Sequence, residues 1–393
     1  MNAYAARDMD HNQPPGAPDN DAGPPSSLED ALRVQVLTAR LRRRLFAWFL
    51  ALVVGGALFV LLGSTEGALL VAISGLFVLA QATDAAAAAP AYRDWVRATL
   101  PRTQLLGAVS RSVVRGILPL FGALMLAGMA AFALQDAPGT RQRVAAACGG
   151  VAALLVLALA ARSVADAVAR RLFHTFTPNR TERLTARVTA IGFLAFPVFA
   201  LMRPELIATL SSRSGDLVTP LGLVAQMIGL VTLGLAGVGL GLKRDWREAR
   251  ARLGLTAMTP RHWIWAAAGL AAVAGVNTGM EWIETHRFPA LALADQQVTK
   301  MIAAHLSLGA TIVLGISAGV GEEITVRGAL QPRLGLLLSS MLFASGHVQY
   351  TWFGVLTVGL LGVALGVIRQ RTNTTTAIVV HGLYDILAAF TAQ

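Results

Sequence analysis

Six residues near the C-terminal end have types and spacings that permit chemistry. Glu322, Glu323 and Arg327 stand in the run Gly319, Val320, Gly321, Glu322, Glu323, Ile324, Thr325, Val326, Arg327, Gly328. His347 closes Phe343, Ala344, Ser345, Gly346, and His381 opens Gly382, Leu383, Tyr384, Asp385. On a helix Glu323 and Arg327 fall at i and i+4, where opposite charges pair. Glu322 points about 100 degrees away and is left without that partner. A lone carboxylate in an apolar, poorly hydrated setting can serve as a general base near neutral pH. His381 and Asp385, also i and i+4, share one helical face. Imidazoles and carboxylates from three helices can hold and activate a water, directly or through a metal. Glu322, His347 and His381 are the ligands a zinc ion would take; a metal-free water-activating set is the other reading.

The elements that must position these groups read as membrane helices. A charged side chain at the centre of a bilayer costs roughly 2.5 to 3.5 kcal/mol on insertion scales, so ionisable groups there are functional candidates. The 393 residues are 55% hydrophobic and 14% charged, with a mean hydropathy of +0.58. That balance excludes one ordinary soluble domain. About 20 helical residues cross a hydrocarbon core of about 30 Å, and apolar runs of that kind centre near Val54, Leu76, Leu124, Leu155, Phe193, Leu230, Leu270, Val313, Leu338, Leu361 and Ile386. The fold expected is all-α, a polytopic transmembrane helix bundle of about eleven spans.

The formal charge of +11 suggests nucleic acid only at first sight. The arginines cluster between apolar runs instead of forming one basic face, so no nucleic-acid partner is expected. The loops holding Arg93 to Arg115, Arg162 to Arg187 and Lys243 to Arg261 alternate with sparsely basic ones. The positive-inside rule then places the N-terminus, Arg333, Arg369 and Arg371 in the cytoplasm and Glu281 to Lys300 outside. Residues 1–40, with Pro14, Pro15, Pro18, Pro24 and Pro25, read as a disordered cytoplasmic tail. Arg42, Arg43 and Arg44 lead into a membrane anchor and not a cleavable signal peptide. Residues 41–250 form an N-terminal transmembrane region, and 261–393 hold the candidate chemistry.

Other features carry less. Cys148 excludes an intrachain disulfide and a thiol-based metal site. Gly234, Gly237, Gly239 and Gly241, and the pair Gly362 and Gly366, suit close helix packing. There is no internal repeat of the kind many transporters carry. His11, His174, His262, His286 and His305 have no partner at useful spacing and read as structural or surface residues. Asn277 and Glu281 could line a polar cavity. At 1.5 Å per residue, Glu322 lies roughly 13 Å from a boundary at Gln331, His347 roughly 20 Å from Leu334 and His381 roughly 10 Å from Thr374, which leaves His347 the outlier.

The ordered series Glu-Glu-x-x-x-Arg, Phe-x-x-x-His and His-x-x-x-Asp on a hydrophobic C-terminal third resembles the CAAX-processing and bacteriocin-processing (Abi) family of intramembrane proteases. The resemblance covers roughly residues 263 to 393. It implies an endopeptidase with an active site inside the membrane, open to the cytoplasm, in a multi-pass protein of a bacterial inner membrane. By position, Glu322 matches the essential glutamate, His347 the histidine that helps activate water, and His381 with Asp385 the pair that stabilises the oxyanion. The family pattern has asparagine more often than Asp385. An ionised carboxylate cannot donate to an oxyanion, so Asp385 is either protonated or orients His381. The family is described both as metal-dependent and as metal-free. The implied partners are a peptide or protein substrate, lipid-modified or not, and membrane lipids. A binding or immunity protein without catalysis, and a transporter, are the rival readings.

Overall fold

The computed structural model describes residues 28–87, 102–135, 138–211, 218–303 and 306–392, and their regular elements are helices. In chain order these are α1 (Leu28–Leu61), α2 (Thr65–Ala87), α3 (Arg102–Ala133), α4 (Thr140–Ala158), α5 (Arg162–Phe173), α6 (Arg180–Leu201), α7 (Arg203–Ser211) and α8 (Pro220–Val238). There follow α9 (Trp246–Leu253), α10 (Pro260–Arg287), α11 (Pro289–Ala303), α12 (Leu308–Glu323), a π-helical segment (Ile324–Leu330), α13 (Gln331–Ser345), α14 (Trp352–Arg371) and α15 (Thr374–Ala392). Among the described residues, 10 stretches are long and apolar enough to cross a membrane. The chain is a multi-pass integral membrane protein. Large apolar side chains such as Phe46 (66% exposed) and Leu61 (83%) face outward from α1, which suits lipid and not water.

The eleven apolar runs all fall on these helices. One stretch, Leu308–Ser345, holds two of them, because the chain turns back inside it at Gly335. There φ is 77° and ψ 175°, outside helical geometry, a conformation open essentially to glycine alone. A Cβ placed on Gly362 of α14 would meet Arg327 at 3.4 Å and Phe343 at 3.2 Å; one on Gly366 would meet Gln331 at 3.0 Å and, closer still, Leu336. Residues before and after Gly335 therefore lie side by side against α14, as two legs of a hairpin.

Residues 1–27, with His11, lie outside the described residues, as does His305. The expected tail to residue 40 is corrected at its end, since α1 already begins at Leu28. Past Pro25 the segment carries Leu, Ala, Arg and Gln, which favour helix. Two helices that precede residue 261 support the segment bearing Glu322. Thr325 donates its hydroxyl to Leu230 O of α8 at 2.7 Å, and Arg252 of α9 donates to Gly328 O at 3.2 Å.

Candidate active site

α12 and α15 touch backbone to backbone. A Cβ on Gly319 would lie 2.8 Å from Ile378 O, and one on Gly382 would lie 2.9 Å from Gly315 O. Glycines four apart on one helix, Gly315 and Gly319, facing Gly382 on the other, allow this approach. The approach sets His381, next to Gly382, against the two glutamates that end α12.

Glu323 and Arg327 are both fully buried, with Arg327 Nε 3.3 Å from Glu323 Oε2. The guanidinium carbon lies 5.0 Å from the centroid of the Phe343 ring, a cation–π distance. The expected pair is there, and Glu323 has a second partner: its Oε1 lies 2.9 Å from His381 Nδ1. The other ring nitrogen, Nε2, lies 3.4 Å from Asp385 Oδ2 and 3.9 Å from Glu322 Oε2. Glu322 is thus too far for a direct hydrogen bond to His381 but near enough for one water to bridge them. The side chains of Glu322 and Asp385 keep 21% and 22% of their surface exposed, against 8% for His381. Arg327 sits in the π-helical segment, a distortion frequent at functional sites.

His347 follows α13. Its Nδ1 lies 3.0 Å from Phe343 O; a carbonyl only accepts, so Nδ1 carries a proton, and in the neutral ring Nε2 is the acceptor. Phe343 stands between the histidines, its ring centroid 4.8 Å from that of His347 and 6.0 Å from that of His381. His347, His381 and Asp385 all lie close enough to act on Glu322 electrostatically. The turn at Gly335 removes the depth discrepancy. Counted from it, Glu322 is 13 residues back and His347 12 residues on, so the two stand at about 20 and about 18 Å along adjacent legs.

The zinc set does not fit this arrangement. The 3.9 Å between His381 Nε2 and Glu322 Oε2 exceeds the roughly 3.3 Å between ligand atoms on a tetrahedral zinc with bonds of about 2.0 Å. Among the described residues no group of three or more His, Cys, Asp and Glu side chains gathers to hold a metal.

Away from the site, His262 takes part in the cap of α10, His286 stacks on Trp282 at 4.5 Å, and His174 is exposed. Glu281 is exposed and Asn277 half-buried; the buried carboxylate of α10 is Glu284. Sequence reasoning missed Glu284, Asp295 and Arg203, which meet at the end of the bundle away from Gly335. The one signal for them was a pair of carboxylates and an arginine close to helix ends, which surface positions explain equally well.

Residues 304–387 match the family model described as type II CAAX prenyl endopeptidase Rce1-like. This agrees with the resemblance read from the motifs, and the matched segment is helical in this structure. The chain is also similar to Uncharacterized protein YpbD of Bacillus subtilis (strain 168), 27% identical over 113 residues, which is 28% of this chain and 57% of that protein. The chain thus spans little more than half the length of this curated relative. No solved structure gives a significant match.

Proposed function

We propose that this chain is an intramembrane endopeptidase in which Glu322 and His347 activate a water for attack on a peptide carbonyl. One observation carries the reading: Glu322, His381 and Asp385 converge from two helices, within the segment matched by the Rce1-like family, at the depth of His347. Glu322 is the water's base. His347, with its Nδ1 proton donated to Phe343, offers Nε2 as the acceptor that fixes the same water.

The steps balance with these groups alone. Glu322 takes a proton as the water oxygen bonds to the carbonyl carbon, and the carbonyl oxygen becomes an oxyanion. His381 is placed to donate from Nε2. A doubly protonated ring satisfies Glu323 at Nδ1 and keeps an Nε2 proton for Asp385 or for the oxyanion, so Asp385 orients the ring and yields it. On collapse the C–N bond breaks, and the proton held by Glu322 passes to the leaving amine. Glu323 and Arg327 hold His381 from behind and do not touch substrate.

The substrate in this reading is a membrane-associated peptide, and the arginine-rich segments near the Gly335 end support a cytoplasmic side for that end and for the N-terminus. Purified protein in proteoliposomes, given farnesylated and unmodified versions of one peptide ending in a CAAX sequence, tests it by mass spectrometry of the products. Cleavage at one peptide bond, faster for the farnesylated peptide, supports the proposal; intact peptides of both kinds would count against it.

A further inference from the structure

At the end of the bundle away from Gly335, a second buried polar cluster joins the N-terminal helices to the loop that bears His347. Arg203 begins α7, immediately after α6. Its Nε donates to Gln349 O at 2.6 Å, and its Nη2 lies 3.2 Å from Ala294 O and 3.3 Å from Asp295 Oδ1. Asp295, 7% exposed, accepts in turn from the backbone N–H of Thr351 at 2.6 Å and from its hydroxyl at 2.7 Å. Thr351 caps α14, so one carboxylate fixes the last residue of the loop and one guanidinium fixes its middle. α6 makes a second contact with the same hairpin leg, where a Cβ on Gly192 would lie 2.8 Å from Leu342 Cδ1.

The loop has two further ties, to α11 and α10: Tyr350 shares a side-chain hydrogen bond with Thr299, and the Thr351 hydroxyl lies 3.4 Å from Glu284 Oε1. Between the end of α13 and the cap of α14, His347 N bonds Ala344 O at 2.9 Å and Tyr350 N bonds His347 O at 3.2 Å. These local turns shape the loop without fixing where it sits relative to α12. The half-buried guanidinium of Arg203, bonded to Gln349 O, Ala294 O and Asp295, adds a tie to the N-terminal helices, because leaving the buried Asp295 carboxylate without its cation is costly.

We infer that Arg203, with Asp295, is a positioning residue that sets the height of His347 opposite Glu322, so the N-terminal helices outside the family-matched segment complete the site. This rests on the endopeptidase reading for its effect on turnover, though not for its effect on the loop. A displacement of about 1 Å at a reacting group can cost on the order of a hundredfold in rate.

The test compares Arg203→Ala and Arg203→Lys with the wild-type full chain. Hydrogen exchange should speed up by about tenfold or more at residues 346–351 in Arg203→Ala, remain unchanged over α15, and recover in part in Arg203→Lys. On a cleaved peptide, kcat should fall by about ten- to a hundredfold with KM within about twofold of wild type. Unchanged exchange in the loop, loosening spread evenly through the bundle, or a raised KM at full kcat would each overturn the inference. Should the wild type cleave nothing, the endopeptidase reading fails, and the exchange result still decides whether Arg203 holds the loop.

Discussion

His381 Nδ1 stands 2.9 Å from Glu323 Oε1, while its Nε2 is 3.9 Å from Glu322 Oε2. The adjacent glutamates therefore differ in kind. Glu323, fully buried between Arg327 and His381, belongs to a fixed charge network, and Glu322, with a fifth of its side chain exposed, faces the space where water and substrate would meet.

That division gives a stability prediction. Arg327→Leu leaves Glu323 buried without its arginine and with His381 as its one remaining partner, which should destabilise the protein by about 3–5 kcal/mol. The double replacement Glu323→Leu with Arg327→Leu should recover much of that loss, as measured by unfolding in detergent. If the double variant is as unstable as the sum of the singles, the two residues do not act as a pair.

Asp385 gives a chemical prediction. An amide at this position can both face His381 and donate to an oxyanion, so Asp385→Asn should keep kcat within about tenfold of wild type, whereas Asp385→Ala should lose about a hundredfold or more. Equal kcat values for the alanine variant and the wild type would remove Asp385 from the site.

The contact of α12 with α15 gives a third. On Gly319 a methyl would meet the main chain at Ile378 O, which cannot swing aside as a side chain can. Gly319→Ala should cost about 1–3 kcal/mol and lower kcat by moving His381 from Glu322. Gly128→Ala is the control, since a Cβ there meets nothing within 4 Å; thermal melts and kcat of both variants decide the matter.

Gly335 gives a fourth. Any L side chain there is strained, and Gly335→Ala should lose about 1–3 kcal/mol and weaken the pairing of the two legs. Cross-linking of cysteines introduced at Leu336 and Gly366 reads the seating of the second leg on α14, which the turn at Gly335 sets: efficient cross-linking at wild-type rates in Gly335→Ala would contradict the hairpin.

Much of this was legible in the residues. Hydropathy located every long helix because lipid forces the backbone into helices, and i,i+4 spacing found Glu323 with Arg327 and His381 with Asp385. Three things lay beyond a one-dimensional reading. The turn at Gly335 hides within a continuous apolar run, so counting depth from Gln331 and Leu334 left His347 misplaced. The contact of Glu323 with His381 links residues 58 apart and depends on Gly315, Gly319 and Gly382, three of the chain's 38 glycines. Arg203, Asp295 and Glu284 read as interfacial charges in the sequence; packing buries the two carboxylates and brings Arg203 against Asp295. The start of α1 at Leu28 was missed for a simpler reason: prolines ending at Pro25 coloured the reading of the helix formers that follow.

The central claim is that Glu322 is the base. Its most direct measurement is the rate of peptide cleavage in proteoliposomes by Glu322→Gln, a near-isosteric change that removes basicity, with melting temperature checked against wild type. The account expects kcat to fall by about 10²- to 10⁴-fold with the fold intact. Cleavage at the wild-type rate by a folded Glu322→Gln protein would contradict it.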